Sequence, residues 1–188
     1  TGNLGKEGTG INPMRGQNNI QGAGDCGAVP TNYPGFQPVT STESHAKFKA
    51  AYQQPDMDLG NPMTKVTALN LCGAEENGIH AMLINGENTI VTDPDKKHCE
   101  KALKSLDHLV VIDIFLTETA QMADIVLPAS AWGETDGVQA NTERRVQRLR
   151  KAVPSFGDSK PDWWIISGIA KELGIAGFEF KNAKEVFN

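Results

Sequence analysis

The chain has 188 residues, of which 39% are hydrophobic and 22% are charged, so it can bury one core of ordinary size. Its 23 acidic and 18 basic side chains give a formal net charge of −5, which argues against the broad basic surface typical of nucleic-acid binding. The longest apolar runs fall far short of the roughly 20 residues that a membrane helix needs, and no signal peptide can be recognised.

Three cysteines, Cys26, Cys72 and Cys99, lie far apart in the sequence. They form no C-x-x-C pair, and the four histidines show no metal-ligand spacing. The sequence therefore predicts no disulfide framework and no metal ligands of its own. Reduced thiols of this kind are typical of a cytoplasmic protein.

The beginning of the chain is unusual, because it starts at Thr1 without an initiator methionine and nine of its 19 glycines lie in the first 35 residues. This pattern predicts a segment of a longer protein. Residues 1–62 show little apolar periodicity and are predicted to be extended and loop-rich, with a short helix from His45 to Gln53.

Residues 63–188 are predicted to form a second, regular domain in which helices and strands alternate. The predicted elements are a helix over 63–76, a strand over 79–84, a helix that starts at Asp93 and Pro94, a strand over 108–115, a short helix over 117–123, a strand over 124–127, a strand or hairpin over 137–150 and a helix over 161–173. Strands joined by helices of this length favour a mainly parallel sheet with helices on both faces.

Loops at the carboxyl ends of parallel strands are the usual place for a ligand. Three loops qualify: residues 86–92, 113–117 and 128–130. The side chains of Asn88, Thr92 and Asp113 are suited to the polar edge of a base or a ribose. The alternative, that these residues form ordinary turns and caps, stays open.

Residues 22–27 match the glycine pattern of a dinucleotide-binding loop letter by letter. No apolar strand precedes them, and Pro30 and Pro34 prevent the long helix that should follow. We therefore expect no NAD site here.

The segment 13–19 places Arg15 beside Gly16 and three side-chain amides. A guanidinium can hold a carboxylate through two parallel hydrogen bonds, and the amide of Gln17 suits a heteroaromatic ring. A solvated loop is the alternative. The basic run over residues 144–151 is interpreted as an edge strand with charged faces rather than as an anion site.

Taken together, five segments resemble the molybdopterin oxidoreductase family, and within it the large catalytic (alpha) subunit of molybdenum- or tungsten-dependent formate dehydrogenases. These segments are residues 8–22, 84–88, 113–120, 123–128 and 141–147. The resemblance covers nearly the whole chain and implies a Rossmann-like α/β domain preceded by an extended Gly/Asn-rich segment.

The resemblance also implies the chemistry. Members carry bis-molybdopterin guanine dinucleotide with Mo or W, and they interconvert formate and CO2. The Cys or selenocysteine metal ligand, its neighbouring His and the cysteines that hold a [4Fe-4S] cluster belong to an earlier part of such chains. The implied partners are the rest of the catalytic subunit and an electron-transfer iron–sulfur subunit, so the 188 residues alone are expected to be inactive.

Site residues follow from the resemblance by position. Arg15 is similar to the arginine that orients formate, and Gly16 and Gln17 are similar to residues beside the pterin. The residues implied on the guanosine side are Gly86, Glu87, Asn88, Thr92, Asp113 and Asp162. Thr89, Ile112 and Ala129 depart from the family pattern, in which Pro, Gln and Ser are common at these positions. The missing Gln amide and Ser hydroxyl predict a weaker hold on the guanine.

Two alternatives remain open at this stage. A related domain serves as a metal-free scaffold in the large subunits of NADH dehydrogenase-type or hydrogenase-linked complexes. A non-catalytic nucleotide-binding module is the second alternative.

Overall fold

The computed structural model describes residues 1–11, 14, 16–53, 55, 65–74 and 78–187. The chain forms two compact units. One comprises Thr1–Asp58 and Gln139–Gln147, and the other comprises Leu59–Val138 and Arg148–Asn188. The predicted boundary at residues 62 and 63 lies outside the described residues, and the division predicted there stays a prediction.

The first unit is small and irregular. Its elements are α1 (Ile20–Asp25), β1 (Asn32–Tyr33), β2 (Gln37–Pro38) and α2 (Thr42–Ala51). β1 and β2 are antiparallel, and the ring of Tyr33 stacks on the ring of Phe48 with centroids 4.3 Å apart. The stacked pair is 6% and 7% exposed, so these two rings form the centre of this unit.

Two expectations for the first unit need correction. Residues 20–25 were expected to be loop, but they form α1. The predicted helix from His45 begins earlier, at Thr42, because the Ser41 hydroxyl accepts a hydrogen bond from the N–H of Ser44 and caps the helix.

The second unit is built on a parallel sheet of three strands. These are β3 (Ala81–Asn85), β4 (His108–Asp113) and β5 (Ile125–Pro128), with β4 in the centre. The register places Asn85 beside Ile112 and Asp113 beside Pro128, so the carboxyl ends of all three strands lie along one edge.

The remaining elements precede the sheet in sequence, connect its strands or follow it. They are α3 (Lys65–Leu71), α4 (Thr89–Thr92), α5 (Lys96–Lys104), β6 (Gly137–Ala140), β7 (Val146–Leu149), α6 (Asp162–Glu172) and α7 (Ala183–Phe187), with short 3₁₀ helices at Ala120–Met122 and Trp132–Glu134. β6 and β7 pair with each other. The predicted hairpin over residues 137–150 therefore forms, with its central part, Gln139–Gln147, in the first unit.

Helices cover both faces of the parallel sheet. Leu109 and Val111 of β4 pack in one core cluster with Cys99 and Leu103 of α5. Ile112 packs on the other face with residues of α6. Because neighbouring residues of a strand point to opposite faces, α5 and α6 lie on opposite sides of the sheet. The predicted α/β fold class is confirmed.

Several predicted boundaries shift for local reasons. The helix expected to start at Asp93 begins at Lys96, because the Asp95 carboxylate caps it by accepting the N–H of His98 at 3.0 Å. The strand expected to continue to Phe115 ends at Asp113, whose Oδ1 accepts the N–H of Phe115 at 3.0 Å and turns the chain.

Within the described part of the chain, no helix combines the length and the apolar character needed to cross a membrane.

Candidate functional site

The carboxyl edge of the parallel sheet brings three polar side chains together. Asn85 is the last residue of β3, Asp113 is the last residue of β4, and Asp162 is the first residue of α6. The carboxyl group of Asp162 accepts a hydrogen bond from Asn85 and lies within electrostatic range of Asp113. The structure therefore brings together Asp113 and Asp162, two of the residues expected from the sequence, and adds Asn85.

The environment of Asp162 makes its carboxyl a weaker acid than that of a free aspartate. Loss of hydration raises the pKa of this carboxyl above its ordinary value, and the negative charge of Asp113 acts in the same direction. The hydrogen bond from Asn85 opposes this effect in part. Asn85 and Asp162 remain exposed and Asp113 is half-buried, so a ligand can reach all three side chains. A ligand that brings N–H groups to this edge would give the two acidic groups donors to pair with.

Gly86 gives the loop after β3 its shape. Its φ is +68°, a conformation that favours glycine, and its N–H donates to the carbonyl oxygen of Ile112 at 2.8 Å. A Cβ built on Gly86 would meet nothing within 4 Å. The backbone at this point of the edge is therefore open to a ligand.

The side chains of the same loop form hydrogen bonds within the chain. Thr92 donates its hydroxyl proton to Glu87 at 3.1 Å. Asn88 donates to Glu118 at 2.7 Å, and its side-chain oxygen accepts the N–H and the hydroxyl of Thr119 at 3.2 and 2.9 Å. These bonds join the loop after β3 to the loop after β4.

Glu118 is a charged group of this edge that the sequence did not single out. The hydrogen bond from Asn88 and the backbone N–H of Glu118 itself lower the pKa of this carboxyl, and the positive charge of Lys96 adds to the effect. The feature of the sequence that could have identified Glu118 is its place in the run Thr117-Glu118-Thr119, shortly after the predicted strand over residues 108–115.

Three positions that depart from the family pattern lie in the protein interior. Thr89, Ile112 and Ala129 are 2%, 0% and 8% exposed. Ile112 and Ala129 pack in the core below α6. Their side chains therefore contribute to packing, and the expected loss of hydrogen bonds to the guanine stays a prediction.

The first unit contains a separate polar pocket of 220 Å³. Side-chain amides dominate its lining, those of Gln17, Asn18, Gln139, Asn141 and Gln147. Asn19 fixes one wall, since its Oδ1 accepts the N–H of Ala140 at 2.9 Å. Amides offer paired donors and acceptors, so this pocket suits a flat ring with alternating polar atoms.

Two further residues of this segment, Gly16 and Arg15, are expected beside the cofactor. Gly16 is exposed, and a Cβ there would meet nothing within 4 Å. Arg15, the expected catalytic residue, lies outside the described residues.

A larger cleft of 610 Å³ runs along α6, but its chemistry differs. Its walls include Leu127, Pro128, Trp164, Ile165 and Ile169. Such an apolar lining offers few partners for a base or a phosphate, so we place the candidate nucleotide site at the strand ends and not in this cleft.

Comparison with known proteins gives a consistent result. The family model described as "Molybdopterin oxidoreductase" matches residues 1–172. The F420-dependent formate dehydrogenase subunit alpha of Methanocaldococcus jannaschii is 51% identical over the whole chain, which covers 27% of that protein. A putative formate dehydrogenase of Bacillus subtilis is 44% identical over the whole chain, which covers 19% of that protein. The chain thus spans about a quarter or less of these relatives.

A solved structure is also similar. Acetylene hydratase from Pelobacter acetylenicus superposes with a TM-score of 0.60 and 27% sequence identity. The match covers 69% of this chain and 18% of that protein. With a family model that matches most of its length, the chain belongs to the molybdopterin oxidoreductase family.

Proposed function

We propose that this chain forms part of the catalytic subunit of a molybdenum- or tungsten-dependent formate dehydrogenase, and that it binds a bis-molybdopterin guanine dinucleotide cofactor. The observation that carries the proposal is the convergence of Asn85, Asp113 and Asp162 at the carboxyl edge of the parallel sheet. The identity of 51% and 44% to formate dehydrogenase chains supports the choice of reaction.

The strand-end residues suit the guanosine part of this cofactor. Guanine presents N–H donors at N1 and at its 2-amino group, and a carboxylate accepts such a pair of hydrogen bonds. Asp113 and Asp162 are acceptors of this kind. The groups that shift the pKa of Asp162 are Asn85 and Asp113, and neither is a cation. Donors from guanine would relieve the unfavourable proximity of the two acidic groups.

The loop after β3 would hold the rest of the nucleotide. Gly86 leaves the backbone open to close approach, and Glu87 and Thr92 lie on the same short loop. We assign Gly86, Glu87 and Thr92 to the ribose and diphosphate side of the guanosine. Asn88 belongs to the same loop.

The amide-lined pocket of the first unit suits a pterin ring. A pterin carries alternating ring nitrogens, an amino group and a carbonyl, and Gln17 borders the pocket with a donor and an acceptor on one side chain. We assign Gly16 and Gln17 to this end of the cofactor.

When bound, the metal of this cofactor would supply the redox chemistry that interconverts formate and CO2. The role proposed for this chain is to bind and orient. The guanidinium of Arg15 would hold the formate carboxylate through two parallel hydrogen bonds and stabilise its negative charge. We expect the metal ligand and the [4Fe-4S] cluster outside these 188 residues, and an electron-transfer iron–sulfur subunit as a partner.

The test uses the full-length protein that contains this sequence. We expect stoichiometric Mo or W, release of a guanine nucleotide on acid hydrolysis, and formate-dependent reduction of a viologen dye. Protein without either metal and without formate oxidation would contradict the proposal in favour of a scaffold domain. Guanine nucleotide without metal would favour a nucleotide-binding module.

A further inference from the structure

Asn88 uses its side chain within the protein. Its Oδ1 accepts two hydrogen bonds, from the N–H of Thr119 at 3.2 Å and from the hydroxyl of Thr119 at 2.9 Å. A carbonyl oxygen has two lone pairs, so its capacity as an acceptor is used. Its Nδ2 donates to Glu118 at 2.7 Å. Only the second N–H of this amide remains for a ligand.

The bonds continue into the next helix. The Oγ1 of Thr119 accepts the N–H of Ile90, in the first turn of α4, at 3.1 Å. Thr119 is 0% exposed and Ile90 is 2% exposed, so water does not compete for these groups. The hydroxyl of Thr119 therefore donates to Asn88 and accepts from Ile90, which fixes its direction.

This network of hydrogen bonds joins the two segments that border the carboxyl groups of Asp113 and Asp162. The loop from Gly86 to Thr92 follows β3, and the loop from Asp113 to Ala120 follows β4. A buried network of this kind is rigid when every member is satisfied and weak when one is removed. The spacing between the two loops consequently depends on Asn88 and Thr119.

We infer that Asn88 is a positioning residue, which holds the two loops at the spacing that the guanosine site requires and does not itself contact the guanosine. This inference rests on the proposed function, since it assumes that the strand-end edge binds the guanosine part of the cofactor. It distinguishes Asn88 from Asp113 and Asp162, which carry the contacts.

The test is a double-mutant cycle in the full-length protein prepared without its cofactor, with GDP as the probe and calorimetry as the measurement. We expect Asn88→Ala and Thr119→Val each to weaken GDP binding about tenfold. Because both remove the same network, the double variant should bind GDP as well as the single variant of lower affinity does. Thr119→Ser keeps the hydroxyl and should stay within about twofold of the wild type. Asn70→Ala, an exposed asparagine on α3, is the matched control and should bind as the wild type does.

If the fold-losses in GDP affinity of the two single variants multiply in the double variant, the two residues act independently. That result would overturn the inference, because it indicates that Asn88 contacts GDP directly.

A second measurement does not depend on the nucleotide. Amide hydrogen exchange at Ile90 and Thr119 should accelerate about tenfold or more in Asn88→Ala while the exchange of β4 residues stays unchanged. Unchanged exchange at both amides would overturn the network itself. A wild-type chain that fails to bind GDP would instead overturn the guanosine assignment, and with it the positioning role, whatever the exchange result.

Discussion

Asp162 and Asp113 lie within electrostatic range of each other at the carboxyl edge of the sheet, although they are 49 residues apart in the sequence. One is the first residue of α6 and the other is the last residue of β4. Their proximity and the partial loss of hydration at Asp162 disfavour two negative charges there. An arrangement of this kind costs stability in the free protein and is typical of a binding site.

The first prediction concerns stability and pH. The pKa of Asp162 is raised in the folded chain, so its contribution to stability is fully present below the ordinary aspartate value of 3.8 and is lost as the pH rises through the higher folded value. Asp162→Asn removes this titration and keeps an acceptor for Asn85. We expect the variant to gain stability relative to the wild type as the pH rises above 3.8.

Urea unfolding at a series of pH values measures this difference. Asp158→Asn, at an exposed aspartate in the second unit, serves as the control. A difference between Asp162→Asn and the wild type that stays constant with pH would contradict the assigned environment of Asp162.

The second prediction concerns Gly86. Alanine at this position would have open space around its Cβ but would have to adopt a φ of +68°. Gly86→Ala should therefore lose about 1–2 kcal/mol of stability from backbone strain alone. Gly137→Ala is the matched control, because its Cβ would also meet nothing within 4 Å and its φ is not positive. Equal midpoints of denaturation for the two variants would speak against strain at Gly86.

The third prediction concerns Arg15 in the full-length protein. Lysine keeps the positive charge but lacks the planar pair of N–H donors that matches a carboxylate. Arg15→Lys should lower formate turnover at least about tenfold, equivalent to ~1.4 kcal/mol, while the content of metal and nucleotide stays unchanged. Dye reduction with formate measures turnover. Wild-type turnover in this variant would remove Arg15 from the proposed mechanism.

The sequence carried enough information for the sheet and for part of the site. The apolar runs around Ile84, Val111 and Val126 predicted the three parallel strands, and the position of Asp113 after one of them predicted its place at the edge. The family resemblance added Asp162. Strand-end rules work here because the strands are short apolar runs and the central strand, β4, is largely buried.

What the sequence did not predict depends on contacts between distant residues or on weak local signals. Asn85 becomes a site residue only because α6 brings Asp162 beside it. Thr119 falls within the predicted short helix over residues 117–123 and has no signal of a site residue, but it is buried and bonded to Asn88. The short helix α1 was missed because its six residues contain two glycines and no apolar period.

The central claim is that the edge formed by β3, β4 and α6 binds guanosine through two carboxyl groups. Calorimetric titration of the cofactor-free full-length protein with GDP tests it most directly. We expect the wild-type chain to prefer GDP to IDP, which lacks the 2-amino group. Asp113→Asn combined with Asp162→Asn should abolish that preference and weaken GDP binding by about 1.5–3 kcal/mol. Equal affinity of the wild-type chain for GDP and IDP, or undiminished GDP binding by the double variant, would contradict the account.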